Sequence, residues 1–253
     1  MILDAFNLSG KVAIVTGCDT GLGQGMSLGL AEAGCDIVGI NRKYPHETEQ
    51  KVTALGRRFT AIQADLSQQA SYDALVQEVV SRMGHVDILV NNAGTIRRAD
   101  ALNFSEQDWD DVINLNLKAT FFLCQAVARQ FIAQGGGGKI INIASMLSFQ
   151  GGIRVPSYTA SKSGVLGLTR LLANEWATHN INVNAIAPGY MATNNTQQLR
   201  DDARRSEEII NRIPAARWGT PEDLKGPAVF LASRASDYIN GYTLAVDGGW
   251  LAR

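Results

Sequence analysis

Short runs of β-branched and aliphatic residues punctuate the chain, and between them apolar positions recur with helical spacing. Seven runs stand out: Lys11–Thr16 (KVAIVT), Asp36–Ile40 (DIVGI), Phe59–Gln63 (FTAIQ), Asp87–Val90 (DILV), Lys139–Ile143 (KIINI), Ile181–Ala187 (INVNAIA) and Tyr242–Val246 (YTLAV). They are continuous rather than alternating, which predicts strands buried on both faces, the pattern of a parallel sheet covered by helices. Helical periodicity predicts helices over about 21–33, after Pro45, over about 68–82, 106–133 and 157–178, and from near Pro221. Strands alternating with helices across short connections form right-handed βαβ units. The expected fold class is therefore α/β. It is a single domain over 1–253 with a doubly wound parallel sheet of about seven strands and helices on both faces. One stretch breaks the rhythm. Residues 189–217 are polar and charged (NNTQQLRDDARRSEE lies within them) and follow the sixth strand, where a long insertion is a candidate lid over a site.

Composition narrows the partners. Hydrophobic residues make up 45% of the 253, too many for a disordered chain. Lys+Arg total 23 and Asp+Glu 24, so the net charge of −1 lacks the basic excess that a nucleic-acid binder needs. No apolar run approaches the ~18 residues of a membrane span. The N-terminal Met-Ile-Leu-Asp-Ala-Phe-Asn-Leu has no basic region, and Asp4 interrupts it, which argues against a signal peptide. Cys18, Cys35 and Cys124 are odd in number and widely spaced, which fits a reducing cytoplasm better than a disulfide or zinc framework. His46, His85 and His179 are scattered, so no metal is expected.

Two segments carry chemistry. Thr16-Gly17-Cys18-Asp19-Thr20-Gly21-Leu22-Gly23 follows the first strand and opens the first helix. Glycine lets backbone amides approach a pyrophosphate, and the helix N-terminus supplies unpaired N–H groups to it. Placed there, Gly17, Gly21 and Gly23 predict a dinucleotide site and make the sheet Rossmann-like. The second strand ends in Asn41-Arg42-Lys43, without the carboxylate that usually binds the ribose 2′-hydroxyl. The second segment is Tyr158-Thr-Ala-Ser-Lys162, whose i, i+4 spacing puts phenol and ammonium on one helix face. A neighbouring cation favours the phenolate and brings Tyr158 toward the working range of an acid/base. Ser145 ends the fifth strand, where ligands of parallel sheets bind, and can polarise a carbonyl oxygen.

Thr16–Gly23, Asn91–Gly94, Asn116, Ser145, Tyr158-x-x-x-Lys162, Pro188-Gly189 and Val246-Asp247-Gly248-Gly249 together resemble the short-chain dehydrogenase/reductase family over essentially the whole chain. The wording around Gly17–Gly25, Ser145–Arg154 and Ala187–Asn195 resembles the branch of that family acting on small sugar acids. The resemblance implies that Tyr158 exchanges a proton with the substrate oxygen and that Lys162 lowers its pKa and binds the nicotinamide ribose. It implies that Ser145 hydrogen-bonds the reacting oxygen and that Asn116 holds a water in a relay to Lys162. It places Asp65 and Leu66 against adenine, Asn92, Ala93 and Gly94 along the adenosine side, Pro188 and Gly189 nearby, and Thr193 at the carboxamide. It also implies a homotetramer packed through the helices near 106–133 and 157–178.

The expected reaction interconverts 2-keto-3-deoxygluconate and its 2,5-diketo form in pectin and hexuronate breakdown. A 3-oxoacyl-thioester reductase and a non-catalytic dinucleotide sensor are the alternatives. The intact Asn116, Ser145, Tyr158 and Lys162 argue against the sensor. NAD is the expected cofactor, with NADP the alternative. Asn41-Arg42 would suit a 2′-phosphate, whereas Asp19 in the turn would repel one. A sugar acid calls for an arginine able to make two parallel hydrogen bonds. Arg154, between Ser145 and Tyr158, is the first choice for that role, and Arg97 or Arg98 the next. Adjacent Arg97 and Arg98 point different ways, and Arg217 reads as structural.

Overall fold

The structure, a computed structural model, describes residues 1–68 and 71–253. Among them seven strands pair in parallel in one sheet: β1 (Val12–Thr16), β2 (Asp36–Asn41), β3 (Phe59–Gln63), β4 (Ile88–Asn91), β5 (Gly138–Ile143), β6 (Ile181–Pro188) and β7 (Thr243–Val246). Their order is β3-β2-β1-β4-β5-β6-β7. Each expected run became a strand, with ends shifted by a residue or so.

Two-faced burial explains why the runs are continuous. All five residues of β1 are buried. Val12 and Ile14 point into one core, with Val38, Ile40, Leu89 and Ile140. Ala13 and Val15 point into the other, with Ile37, Ile88, Val90 and Ile141. Each fully buried aliphatic side chain contributes roughly 1.5–3 kcal/mol, so a polar residue on either face would be costly.

The helices supply the cover. α1 (Gly21–Glu32) and α2 (His46–Ala54) follow the first two strands, and α3 (Tyr72–Met83) follows the third. α4 (Glu106–Ile113) and α5 (Ala119–Gln134) lie between β4 and β5, and α6 (Pro156–Trp176) follows β5. Leu75, Val79, Leu123 and Phe131 close the first core, while Met26 and Leu30 of α1 close the second.

Three helices differ from expectation. The stretch 106–133 is not one helix, because a single π turn at Asn114–Lys118 separates α4 from α5. The expected start at 68 falls in a 3-10 turn, Leu66–Gln68; residues 69 and 70 lie outside the described residues, and α3 begins after Ser71, whose hydroxyl accepts from Ala74 N at 3.2 Å. The helix near Pro221 opens as a 3-10 turn, Pro221–Leu224. The segment 189–217 folds into α7 (Gln197–Asp201) and α8 (Ala203–Arg212), ahead of α9 (Lys225–Ala232). Ile209 and Ile213 pack on Met146 and Trp250, seating α8 above the carboxyl end of the sheet. Among the described residues, no helix is long and apolar enough to cross a membrane.

Strand order reverses between β1 and β4, the point where open α/β sheets bind ligands.

Candidate active site

The turns that follow β1 and β4 are knitted together. Thr16 Oγ1 accepts from the backbone N of Asn92 at 3.0 Å and of Ala93 at 2.9 Å. Asn92 Nδ2 donates to the carbonyls of Thr16 at 3.0 Å and Gly17 at 2.9 Å. Gly23 sits inside this knot, and a Cβ there would lie 2.1 Å from Gly17 O. The position admits no side chain. Thr20 precedes α1 without a side-chain cap bond, and the first turn of α1 has no acidic residue. The helix end therefore presents bare N–H groups and its positive pole to an anion. Such a cradle fits the pyrophosphate of a dinucleotide.

A cleft of about 250 Å³ opens on this cradle. Gly17, Asp19, Gly21, Leu22 and Gly23 line one wall, and Asn92, Ala93 and Gly94 the next. Thr20, Thr95, Ile143, Tyr158, Lys162, Thr193, Asn194 and Asn195 complete the lining. Eleven of the residues singled out in the sequence thus meet in one place.

Tyr158 and Lys162 sit one turn apart on α6. Lys162 is 5% exposed; its Nζ lies 5.7 Å from the Tyr158 ring centroid and donates to Ile143 O, at the end of β5, at 2.5 Å. Burial pushes the Lys162 ammonium down to about 8. Tyr158 moves the other way from expectation. Burial raises its phenol above the ordinary value, opposed by a hydrogen bond from Ser145 and by the field of Arg98. At neutral pH the phenol is therefore a proton donor.

Ser145 is aimed by its own capping bonds. Its Oγ accepts from Leu147 N at 3.2 Å, which leaves the hydroxyl hydrogen for an oxygen in front of it. Ser148 Oγ accepts from Ser145 N at 3.3 Å and donates to Lys162 O at 2.7 Å, tying the end of β5 to α6. Asn116 lies in the π turn, 1% exposed. Its Oδ1 accepts from Thr95 N at 2.8 Å, and its Nδ2 donates to Thr95 O at 2.9 Å and Ser161 Oγ at 3.3 Å. The side chain holds Thr95 in the cleft wall, and both amide hydrogens are taken.

Other residues fall outside the cleft. Asn41 is 6% exposed and turned toward Cys18, with Arg42 exposed beyond it. Asp65 Oδ1 accepts from Ser67 N at 3.0 Å and Ser67 Oγ at 2.6 Å, holding a turn, and Leu66 is buried. Pro188 ends β6, and Gly189 packs against Asp247 so closely that a Cβ would meet Asp247 Cα at 2.6 Å.

The arginines sort by their partners. Arg97 already holds Asp111 at 2.9 Å and Asp108 at 3.4 Å. Arg154, with φ +63°, pairs with Asp100 at 3.1 Å on the surface. Arg217 grips Asp223 through two bonds of 2.7 and 2.8 Å. Arg98 donates to Asn195 O at 3.1 Å, has no carboxylate partner among the described residues, and acts on Tyr158. Among the described residues Arg97, Arg154 and Arg217 are thus each engaged by a carboxylate, and Arg98 is not.

Residues 11–204 match the family described as short chain dehydrogenase. Over its full length the chain is similar to 2-dehydro-3-deoxy-D-gluconate 5-dehydrogenase of Dickeya dadantii (strain 3937), at 74% identity, and to the protein of the same name from Escherichia coli (strain K12), at 75%; both alignments cover 100% of each chain. It is also similar to the crystal structure of a gluconate 5-dehydrogenase from Burkholderia cenocepacia J2315 in complex with NADP and tartrate, with TM-score 0.95 and 40% identity over 100% of both chains.

Proposed function

The chain belongs to the short-chain dehydrogenase family, and from that premise we propose that it reduces the 5-keto group of 2,5-diketo-3-deoxygluconate to 2-keto-3-deoxygluconate, and runs the reverse oxidation. It is an NAD(P)-dependent oxidoreductase acting on a CH–OH group of a sugar acid. The observation that carries the reading is Tyr158, flanked by Ser145 and Lys162 and opening on the same cleft as the glycine cradle.

A bound nicotinamide dinucleotide supplies the hydride, and the chain's own residues do the rest. Ser145 donates to the substrate carbonyl oxygen and polarises it. Tyr158 gives that oxygen its proton, so C=O becomes CH–OH. The Lys162 ammonium stabilises the phenolate left behind. Gly17, Gly21 and Gly23 would hold the pyrophosphate, with Asn92–Gly94 and Thr193 along the remaining length. NAD is the cofactor we favour, with NADP the alternative. Arg98, whose charge favours the Tyr158 phenolate, would hold the substrate carboxylate, and 189–217 would serve as the lid because Asn195 O already meets Arg98.

Two further readings belong to this proposal. A homotetramer is supported by the exposed Phe122 and Ile132 of α5 and Leu171 of α6, an apolar face that a second copy could cover. A cytoplasmic location in hexuronate breakdown is supported by three buried free thiols, which suit a reducing compartment.

The test is turnover, followed by NADH absorbance, on 2,5-diketo-3-deoxygluconate against 3-oxoacyl thioesters and simple aldoses. Turnover of the diketo acid far above the others is expected; preference for a thioester would replace this reading.

A further inference from the structure

The residue ending the second strand of a dinucleotide fold usually reads the adenosine ribose, with a carboxylate on its 2′-hydroxyl. Here that residue is Asn41, and it faces the opposite way. Its Oδ1 accepts from Cys18 N at 2.7 Å, and its Nδ2 donates to Cys18 Sγ at 3.2 Å. Thr48 of α2, fully buried, donates to Cys18 O at 2.6 Å. Gly39 makes room for the thiol, since a Cβ there would stand 2.6 Å from its sulfur. Gln24 of α1 braces the pair, donating to Thr48 Oγ1 at 3.1 Å and Asp19 O at 3.4 Å. The backbone N, the carbonyl and the sulfur of Cys18 are each held from β2 or α2. Its chain neighbours Gly17 and Asp19 both line the cleft.

We propose that Asn41 and Thr48 are positioning residues that hold the Gly17–Gly23 turn in its pyrophosphate-binding shape, and that Asn41 takes no part in telling NAD from NADP. This rests on the cofactor reading above. Glycines leave an unrestrained turn many backbone shapes. Three outside bonds on one residue remove much of the ordering that dinucleotide binding would otherwise have to impose. The restraint acts on the pyrophosphate, which both dinucleotides share, so its loss weakens both alike. A carboxylate at position 41 still accepts from Cys18 N and so stays turned inward, away from the ribose.

Calorimetric titration of the full-length protein with NAD and with NADP, without substrate, tests this independently of turnover. Asn41→Ala and Thr48→Val should each weaken both dinucleotides about tenfold, with their ratio unchanged within about threefold, since each leaves a buried backbone group unpaired. Thr48→Ser keeps the hydroxyl and should restore parental affinity. Should Asn41→Ala fail to fold, the Thr48 pair carries the same test. Asn41→Asp should leave the NAD-to-NADP ratio unchanged. A tenfold gain in NAD preference for Asn41→Asp would show that position 41 reads the ribose and overturn the proposal. Parental affinities in Thr48→Val and Asn41→Ala would overturn it too. A parent that binds neither dinucleotide would instead refute the cofactor reading on which it stands.

Discussion

Replacing Arg98 separates recognition of the acid from the chemistry on its ketone. Its guanidinium is exposed, donates one bond of 3.1 Å to Asn195 O and pairs with no acid among the described residues. A charged hydrogen bond contributes about 1.5–3 kcal/mol. Taking about 2 kcal/mol, Arg98→Ala should lower kcat/KM on the diketo acid about thirtyfold. Arg98→Lys keeps the charge but loses the two-pronged geometry, and should fall between the two. The field of Arg98 also holds the Tyr158 phenol down against burial, so its removal should move the alkaline limb of the pH profile upward. Steady-state kinetics on the acid and on its neutral methyl ester, with NADH affinity measured by titration, read all three effects. NADH affinity should stay within about twofold, and at neutral pH, where the phenol stays protonated with or without Arg98, the ester should lose little because it lacks the carboxylate. An equal loss on acid and ester, or parental kinetics on both, would refute the assignment. In that case Arg154, paired with Asp100 on the surface where ion pairs are weak and exchangeable, is the next variant to test.

Tyr158→Phe should cost about 10²–10⁴ in kcat while leaving NADH affinity nearly intact, checked by the same titration. Gly23→Ala should abolish dinucleotide binding, because its Cβ would stand 2.1 Å from Gly17 O; calorimetry reads the loss. The pH dependence should differ by direction. Reduction needs the protonated phenol, whose pKa burial raises, so its rate should hold through neutral pH and fall in alkali. Oxidation needs the phenolate and should rise with pH over the same range. Lys162, lowered to about 8, loses its charge there as well, so the apparent pKa values belong to the pair.

The strands were legible because burial on both faces leaves a continuous apolar run with nothing to compete with it, as in Lys11–Thr16. The π turn at Asn114–Lys118 was not, since inserting one residue into a helical turn barely disturbs apolar spacing over 106–133. Tyr158 and Lys162 were found because one helix fixes both of them. The arginines were harder. Arg97, Arg98 and Arg154 all lie near the catalytic residues in sequence, and only the fold shows that Asp108, Asp111 and Asp100 pair with the first and the last of them. The inward turn of Asn41 was hidden for a related reason, because the atoms that hold it belong to Cys18, 23 positions earlier. The Tyr158 pKa was misjudged in direction because desolvation, a property of the assembled cleft, outweighs the hydrogen bond from Ser145 and the field of Arg98.

The most direct test of the central claim follows the transferred atom. Reduction of 2,5-diketo-3-deoxygluconate with NADH carrying deuterium at both positions of nicotinamide carbon 4, with the product read by NMR, shows which carbon accepts the hydride. One deuterium at carbon 5 of 2-keto-3-deoxygluconate, in a single stereoisomer, is the expected result. Deuterium at carbon 2, or none in the sugar acid, would contradict the account.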